Sequence, residues 1–222
     1  MINNENNNSS NSSDTKKNII KDIINQISYL KDINDDLSNQ ICENSELKNI
    51  NIGYPLVYPN TIPESITIIL DGEARLIDEE DGKPITVAKL GKGSIIGLSS
   101  ILSVKGYEYI NASTIIKALT IPDYLVIKLY ENEISFREFC EENIFPSEVL
   151  SIANNLIQKS SRSDIKLRNS FNILFKNSSI IIGKNGETLK CLEDYVSIVN
   201  SDNIKDLKIG DTIESDISIT VG

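Results

Sequence analysis

Ile19, Ile20, Ile23, Ile24, Ile27 and Leu30 recur at helical spacing along one face, which predicts an amphipathic helix over residues 16–30. Asp14 or Thr15 is available to cap it. The preceding residues 1–15 are Asn/Ser-rich and nearly devoid of apolar side chains, so a disordered tail is expected there. A weaker helical pattern around Leu37 and Ile41 extends the helical segment over 16–45. Its apolar face either packs on its own domain or meets a partner. From about residue 50 the period changes from helical to extended. Pro55, Pro59 and Pro63 punctuate the entry, and strands are predicted over 66–70, 74–77, 85–90 and 113–121. Asp71-Gly72, Asp81-Gly82 and Gly91-Lys92-Gly93 break them. Residues 124–129 read as strand or short helix. Phe136, Phe139, Cys140 and Ile144 then share a helical face, which Pro146 ends. Val149, Leu150, Ala153, Leu156 and Ile157 define the next helix. Beyond a polar link, strands are expected over 170–175, 179–182, 187–191, 195–199 and 213–221, with a tight turn at Lys184-Asn185-Gly186. The domains read as 46–160, a β-roll with C-terminal helices, and 161–222, a small β-rich unit.

Composition narrows the chemistry. The 222 residues contain no histidine, which removes the commonest general base and metal ligand and every Ser-His or Cys-His nucleophile pair. No paired-carboxylate constellation stands out, so no enzyme, catalytic residue, metal or cofactor is expected. Net charge is −10, which repels phosphate backbones and anionic lipid. Cys42, Cys140 and Cys191 are odd in number and widely spaced, a poor basis for zinc or a disulfide framework. No apolar run reaches the roughly 20 residues of a membrane helix. A cytoplasmic location without direct membrane insertion fits these features. Abundant Ile, Asn and Lys match the mutational bias of an AT-rich genome, so a single Asn or Lys carries little information.

One order of motifs is informative. Asp71-Gly72-Glu73, Asp81-Gly82, Leu90-Gly91, Gly93, Gly97, Ala112-Ser113 and the exit Ala118-Leu119-Thr120-Ile121-Pro122 follow one another across residues 66–143. This stretch resembles a cyclic-nucleotide-binding domain. The resemblance implies a mainly β fold with flanking helices: a cyclic-nucleotide-binding-like β-roll (jelly-roll) closed by C-terminal helices, with 123–130 opening a lid-side helix. It places the phosphate-cassette equivalents at Gly97, Leu98, Ser99, Ser100, Asn111, Ala112 and Ser113. In the family a Glu after the last glycine holds the ribose hydroxyl, and an Arg before the Ala-Ala/Ser step pairs the cyclic phosphate. Those positions here are Leu98 and Asn111. Leucine accepts no hydrogen bond, and asparagine lacks the charged fork that grips phosphate. Each lost charge-assisted bond costs ~1.5–3 kcal/mol. Lys92 and Lys105 are the only nearby candidates for replacement charge.

The expected function is therefore a non-catalytic regulatory or interaction module with a degenerate nucleotide site and a protein partner. Restoring Leu98→Glu with Asn111→Arg is expected to create affinity. A narrower similarity links the roll, Phe145-Pro146-Ser147 and Lys208-Ile209-Gly210-Asp211 to the N-terminal cytosolic region of bacterial peptidase-containing ABC exporters. It implies a stand-alone relative or split subunit, with an exporter subunit as partner. Gly183-Lys184-Asn185-Gly186 lacks the spacing of a nucleotide phosphate loop. Two alternatives remain open: a sensor of a small anion, and a cyclic-nucleotide-responsive transcription regulator. The regulator would have to place Lys159, Arg162, Lys166 and Arg168 on DNA, in an otherwise acidic chain.

Overall fold

A computed structural model describes residues 7–106, 108–160, 164–184, 186–190, 197–199, 204, 206–207, 211–213 and 218–220. It divides into two units, residues 1–147 and 148–222.

The first unit opens with α1 (Asn7–Gln26), which begins within the stretch expected to be a disordered tail. Residues 1–6 of that tail lie outside the described residues. Ile20 and Ile24 of α1 are buried as their spacing predicts, but Ile19 of the same predicted face is exposed and the helix ends at Gln26, short of residue 30. A turn carrying buried Leu30 leads to α2 (Asp35–Asn44), with Leu37, Ile41 and Cys42 inward.

Eight strands follow: β1 (Glu46–Ile50), β2 (Pro55–Val57), β3 (Ser65–Asp71), β4 (Ala74–Glu80), β5 (Lys83–Leu90), β6 (Ile95–Ile96), β7 (Ile110–Ala112) and β8 (Ile116–Pro122). They form two four-stranded antiparallel sheets, ordered β1-β8-β3-β6 and β2-β7-β4-β5. This is the expected β-roll with flanking helices. A short helix, α3 (Leu98–Leu102), joins β6 to the loop before β7. Residues 123–130, ambiguous from local pattern, belong to α4 (Asp123–Asn132). α5 (Ile134–Glu142) follows, and α6 (Pro146–Lys159) starts on Pro146, which suits a first helical turn because it has no N–H to leave unpaired there.

β3 explains why strict alternation is missing from its sequence. Ile66, Ile68 and Ile69 are all buried. Ile66 and Ile68 stand opposite Ile121 and Leu119 of β8, and these four belong to one apolar cluster with α1, α2, α4 and Phe136 of α5. A strand with partners on both faces reads as a continuous apolar run.

The second unit departs from the expected strand series at its start. Residues 170–175 lie in α7 (Leu167–Asn177), not in a strand. Leu167 and Phe171, four apart, are the buried residues of that helix, so helical period overrides local β propensity. No strand forms over 179–182. β9 (Thr188–Lys190) pairs with β12 (Ser218–Thr220), and β10 (Ser197–Ile198) with β11 (Thr212–Ile213). The turn at 184–187 closes through Glu187 N–H to the Lys184 carbonyl at 2.8 Å, with Gly186 at φ +79°. Asn185, Cys191, Arg162 and Lys208-Ile209-Gly210, all singled out above, lie outside the described residues. Among the described residues no helix is long and apolar enough to cross a membrane.

Candidate functional site

β6 ends just before Gly97, the first of the cassette equivalents, which takes φ +87° before α3 begins. A Cβ at this position would meet Pro63 Cγ at 2.8 Å, so the corner packs tightly on the Pro63–Ser65 backbone and needs glycine on both counts. Leu98 turns into the helical side of the roll. It is 1% exposed and packs in the cluster with Ile66, Ile68 and Leu125. Ser99 and Ser100 are buried, and Ser99 Oγ accepts a 3.3 Å hydrogen bond from Ser147 Oγ.

Asn111, Ala112 and Ser113 lie apart from this corner, on β7 and just past it. Asn111 stands between Pro55 of β2 and Arg75 of β4. Its Nδ2 donates to Tyr109 Oη at 3.2 Å, and its buried Oδ1 has no partner among the described residues. Ala112 faces Ala74. The Ser113 hydroxyl donates to the Glu73 carbonyl at 2.9 Å.

A cavity of about 120 Å³ lies inside the roll. Leu76, Leu90, Ile95 and Ile110 form its aliphatic wall, and Phe139 and Phe145 of the α5 region close it. Gly93, Ser94, Pro146, Ser147 and Glu108 complete the lining. None of the seven cassette equivalents from 97–100 and 111–113 lines it. Neither Lys92 nor Lys105 does so; both are exposed. Among the described residues, the one charged side chain in the lining is a carboxylate.

That residue, Glu108, was not singled out in the sequence. It sits in the loop before β7 and is 2% exposed. The loop is nevertheless held in strand-like register, because the Tyr109 carbonyl accepts from Ile77 N–H of β4 at 2.8 Å. Counting back by two from buried Ala112 and Ile110 puts Glu108 on the inward face, with Tyr109 and Asn111 on the other. That alternation is the signal that would have found it.

Burial raises the Glu108 pKa; the hydroxyls of Ser147 and Ser100 and the Gly97 amide pull the other way, less strongly. The amide at the expected phosphate corner thus already faces an internal carboxyl. The cradle is loose: among the described residues neither Glu108 Oε2 nor Ser100 Oγ, both buried, has a partner in full hydrogen-bond geometry. Among the described residues no cluster of His, Cys, Asp and Glu could hold a metal ion.

No family model matches this chain, and no curated protein matches it. The solved structures it is similar to include cyclic-nucleotide-binding domains and kinase regulatory subunits. The regulatory domain of Toxoplasma gondii protein kinase A with cAMP is 12% identical, with a TM-score of 0.47, over 93% of this chain and 85% of that one. A cyclic nucleotide-binding domain from Methylobacillus flagellatus is 17% identical, with a TM-score of 0.46, over 78% and 88%. The regulatory subunit of a cAMP-independent protein kinase A from Trypanosoma brucei is 16% identical, with a TM-score of 0.45, over 58% and 52%, so the chain spans about half of its length. The β-roll is read from the sheet order and register, independently of these likenesses.

Proposed function

We propose that this chain is a non-catalytic regulatory or interaction module whose β-roll does not accept a cyclic nucleotide. The observation that carries this reading is the Glu108 carboxyl buried in the roll cavity, with no cation among the described residues of the lining. A cyclic phosphate carries a full negative charge. Where Glu108 is protonated, the lining still offers the phosphate no cation among the described residues. Where it is ionised, two like charges about 4 Å apart repel by about 4 kcal/mol at an effective dielectric of about 20. That exceeds the ~1.5–3 kcal/mol a charge-assisted hydrogen bond returns. Size argues the same way, since the cavity of about 120 Å³ is well below the roughly 300–1,000 Å³ of small-molecule pockets. Leu98, buried away from the cavity, offers no contact to a sugar hydroxyl.

Isothermal titration of the whole chain with cyclic AMP and cyclic GMP is expected to show no heat at micromolar concentrations. Saturable micromolar binding of either would turn the reading into that of a nucleotide sensor. The finer reading, an exporter subunit as partner in a bacterial cytoplasm, rests on the narrower sequence similarity. Capture on the immobilised chain from native lysate is expected to recover exporter subunits; a specific eluate without them removes the exporter from the proposal.

A further inference from the structure

Glu108 does more than exclude anions, because its buried Oε2 has no partner among the described residues and suits the cavity to the opposite charge. We propose that the roll cavity binds a primary alkylammonium group, supplied by a small free amine or by a lysine side chain. This rests on the proposed absence of cyclic-nucleotide binding and names what the same cavity takes instead.

The lining supports an ammonium in particular. An ammonium presents three N–H donors and no acceptor. Glu108 supplies one carboxylate oxygen, Oε2, that has no partner among the described residues. The Ser147 hydroxyl, 3.3 Å from Ser99 Oγ, also carries lone pairs that can accept. Ser94 carries a second hydroxyl in the lining. The Phe139 and Phe145 rings, 5.8 Å apart and edge-to-face, add the aromatic surface that favours cations over anions. Tyr29 stacks on Phe139 at 3.8 Å, which holds that ring in place. The remaining wall is aliphatic and suits a short alkyl stem. The volume of about 120 Å³ fits such a stem, and the few acceptors in the lining would leave most of a guanidinium's five donors unmet.

The test is calorimetric titration of the whole chain at neutral pH with four probes: n-propylammonium, propan-1-ol, propionate and Nα-acetyl-lysine N-methylamide. Saturable ammonium binding is expected, at least about tenfold tighter than the alcohol, with no propionate binding. In Glu108→Gln the ammonium preference should vanish and the two probes become equivalent. Lysine-derivative binding as tight as propylammonium assigns the site to a partner's side chain; propylammonium binding alone assigns it to a free amine. The proposal is overturned if the alcohol binds as tightly as the ammonium, if Glu108→Gln leaves the preference intact, or if neither ammonium probe binds. Should Glu108→Gln fail to fold, the ammonium-to-alcohol ratio of the unaltered chain decides by itself. Cyclic AMP binding would remove the functional reading above, whereas silence toward both ligand classes removes this proposal alone.

Discussion

A single carboxyl group sets the chemistry of the roll, and its cost is measurable. Burial lifts the Glu108 pKa above that of an unfolded carboxylate, so the folded chain holds its proton to higher pH than the unfolded chain does. Stability from this group is therefore complete below the unfolded value and declines as pH rises through the folded value. Glu108→Gln keeps the shape and removes the ionisation. Its thermal midpoint is expected to exceed that of the unaltered chain at neutral pH by about 2–4 °C, the scale of 1 kcal/mol for a chain of this size. The gap should close in acid, where both side chains are neutral. A gap constant from pH 4 to pH 8 would show that the carboxyl is not the titrating origin. Leu98 has a different outcome from the one its sequence position suggested. The structure packs it among Ile66, Ile68 and Leu125, so Leu98→Glu buries an unpaired charge in the apolar cluster. Loss of cooperative folding in a denaturant melt is now expected, rather than a gain of nucleotide affinity.

Helices are tied to one another by specific polar contacts that composition could not reveal. Asn34 caps α2: its Oδ1 accepts from Leu37 N–H at 2.9 Å. Its own backbone N–H donates to Glu133 Oε1 at 3.2 Å, and its Nδ2 also donates there. One side chain thereby links the start of α2 to the α4–α5 junction. Asn34→Ala removes the cap and strips the largely buried Glu133 of its side-chain donor, while the backbone N–H at position 34 remains. A loss of about 1–3 kcal/mol in urea unfolding is expected. Asn34→Asp retains a cap acceptor but sets two carboxylates together, so it should also fall below the unaltered chain. A neutral result for both would show that Glu133 finds other partners. At this scale β3, β4 and β5 were legible, because Asp-Gly turns bound runs of β-branched residues. β1 was not: its first four residues are exposed, so its sequence shows no buried alternation. α7 was misread because Phe171, Ile173 and Phe175 alternate like a strand, while the burial follows Leu167 and Phe171. The corners at Gly72 and Gly93, both at positive φ, were legible from their glycines. Glu108 was not, because it precedes the three-residue strand β7 (Ile110–Ala112), and only counting back by two from Ala112 and Ile110 marks it as inward.

Across the whole molecule, the two-sided burial of one sheet decides where stability concentrates. β8 lies between β1 and β3, so both its edges are hydrogen-bonded. Ile116, Ala118, Leu119 and Ile121 of that strand are buried, covering both of its faces. Opening β8 would expose the helical cluster and the roll interior together, which couples its amides to global unfolding of the first unit. The second unit contrasts with this. Its paired strands are two or three residues long, and Ile180, Ile181 and Ile182 are exposed. Two-stranded pairings of that length are marginal without further cover. Native-state hydrogen exchange should therefore find the slowest amides in β3 and β8, with those of β9 to β12 exchanging through smaller, local openings. The same experiment separates packing from ligand chemistry. An ammonium bound at Glu108 contacts β4, β5 and the loop before β7, so saturating n-propylammonium should slow exchange at Leu76, Leu90 and Ile110 and leave β9 to β12 unchanged. Exchange in β8 as fast as in β9 would mean that the sheet packed on both faces is not the stable heart of the fold.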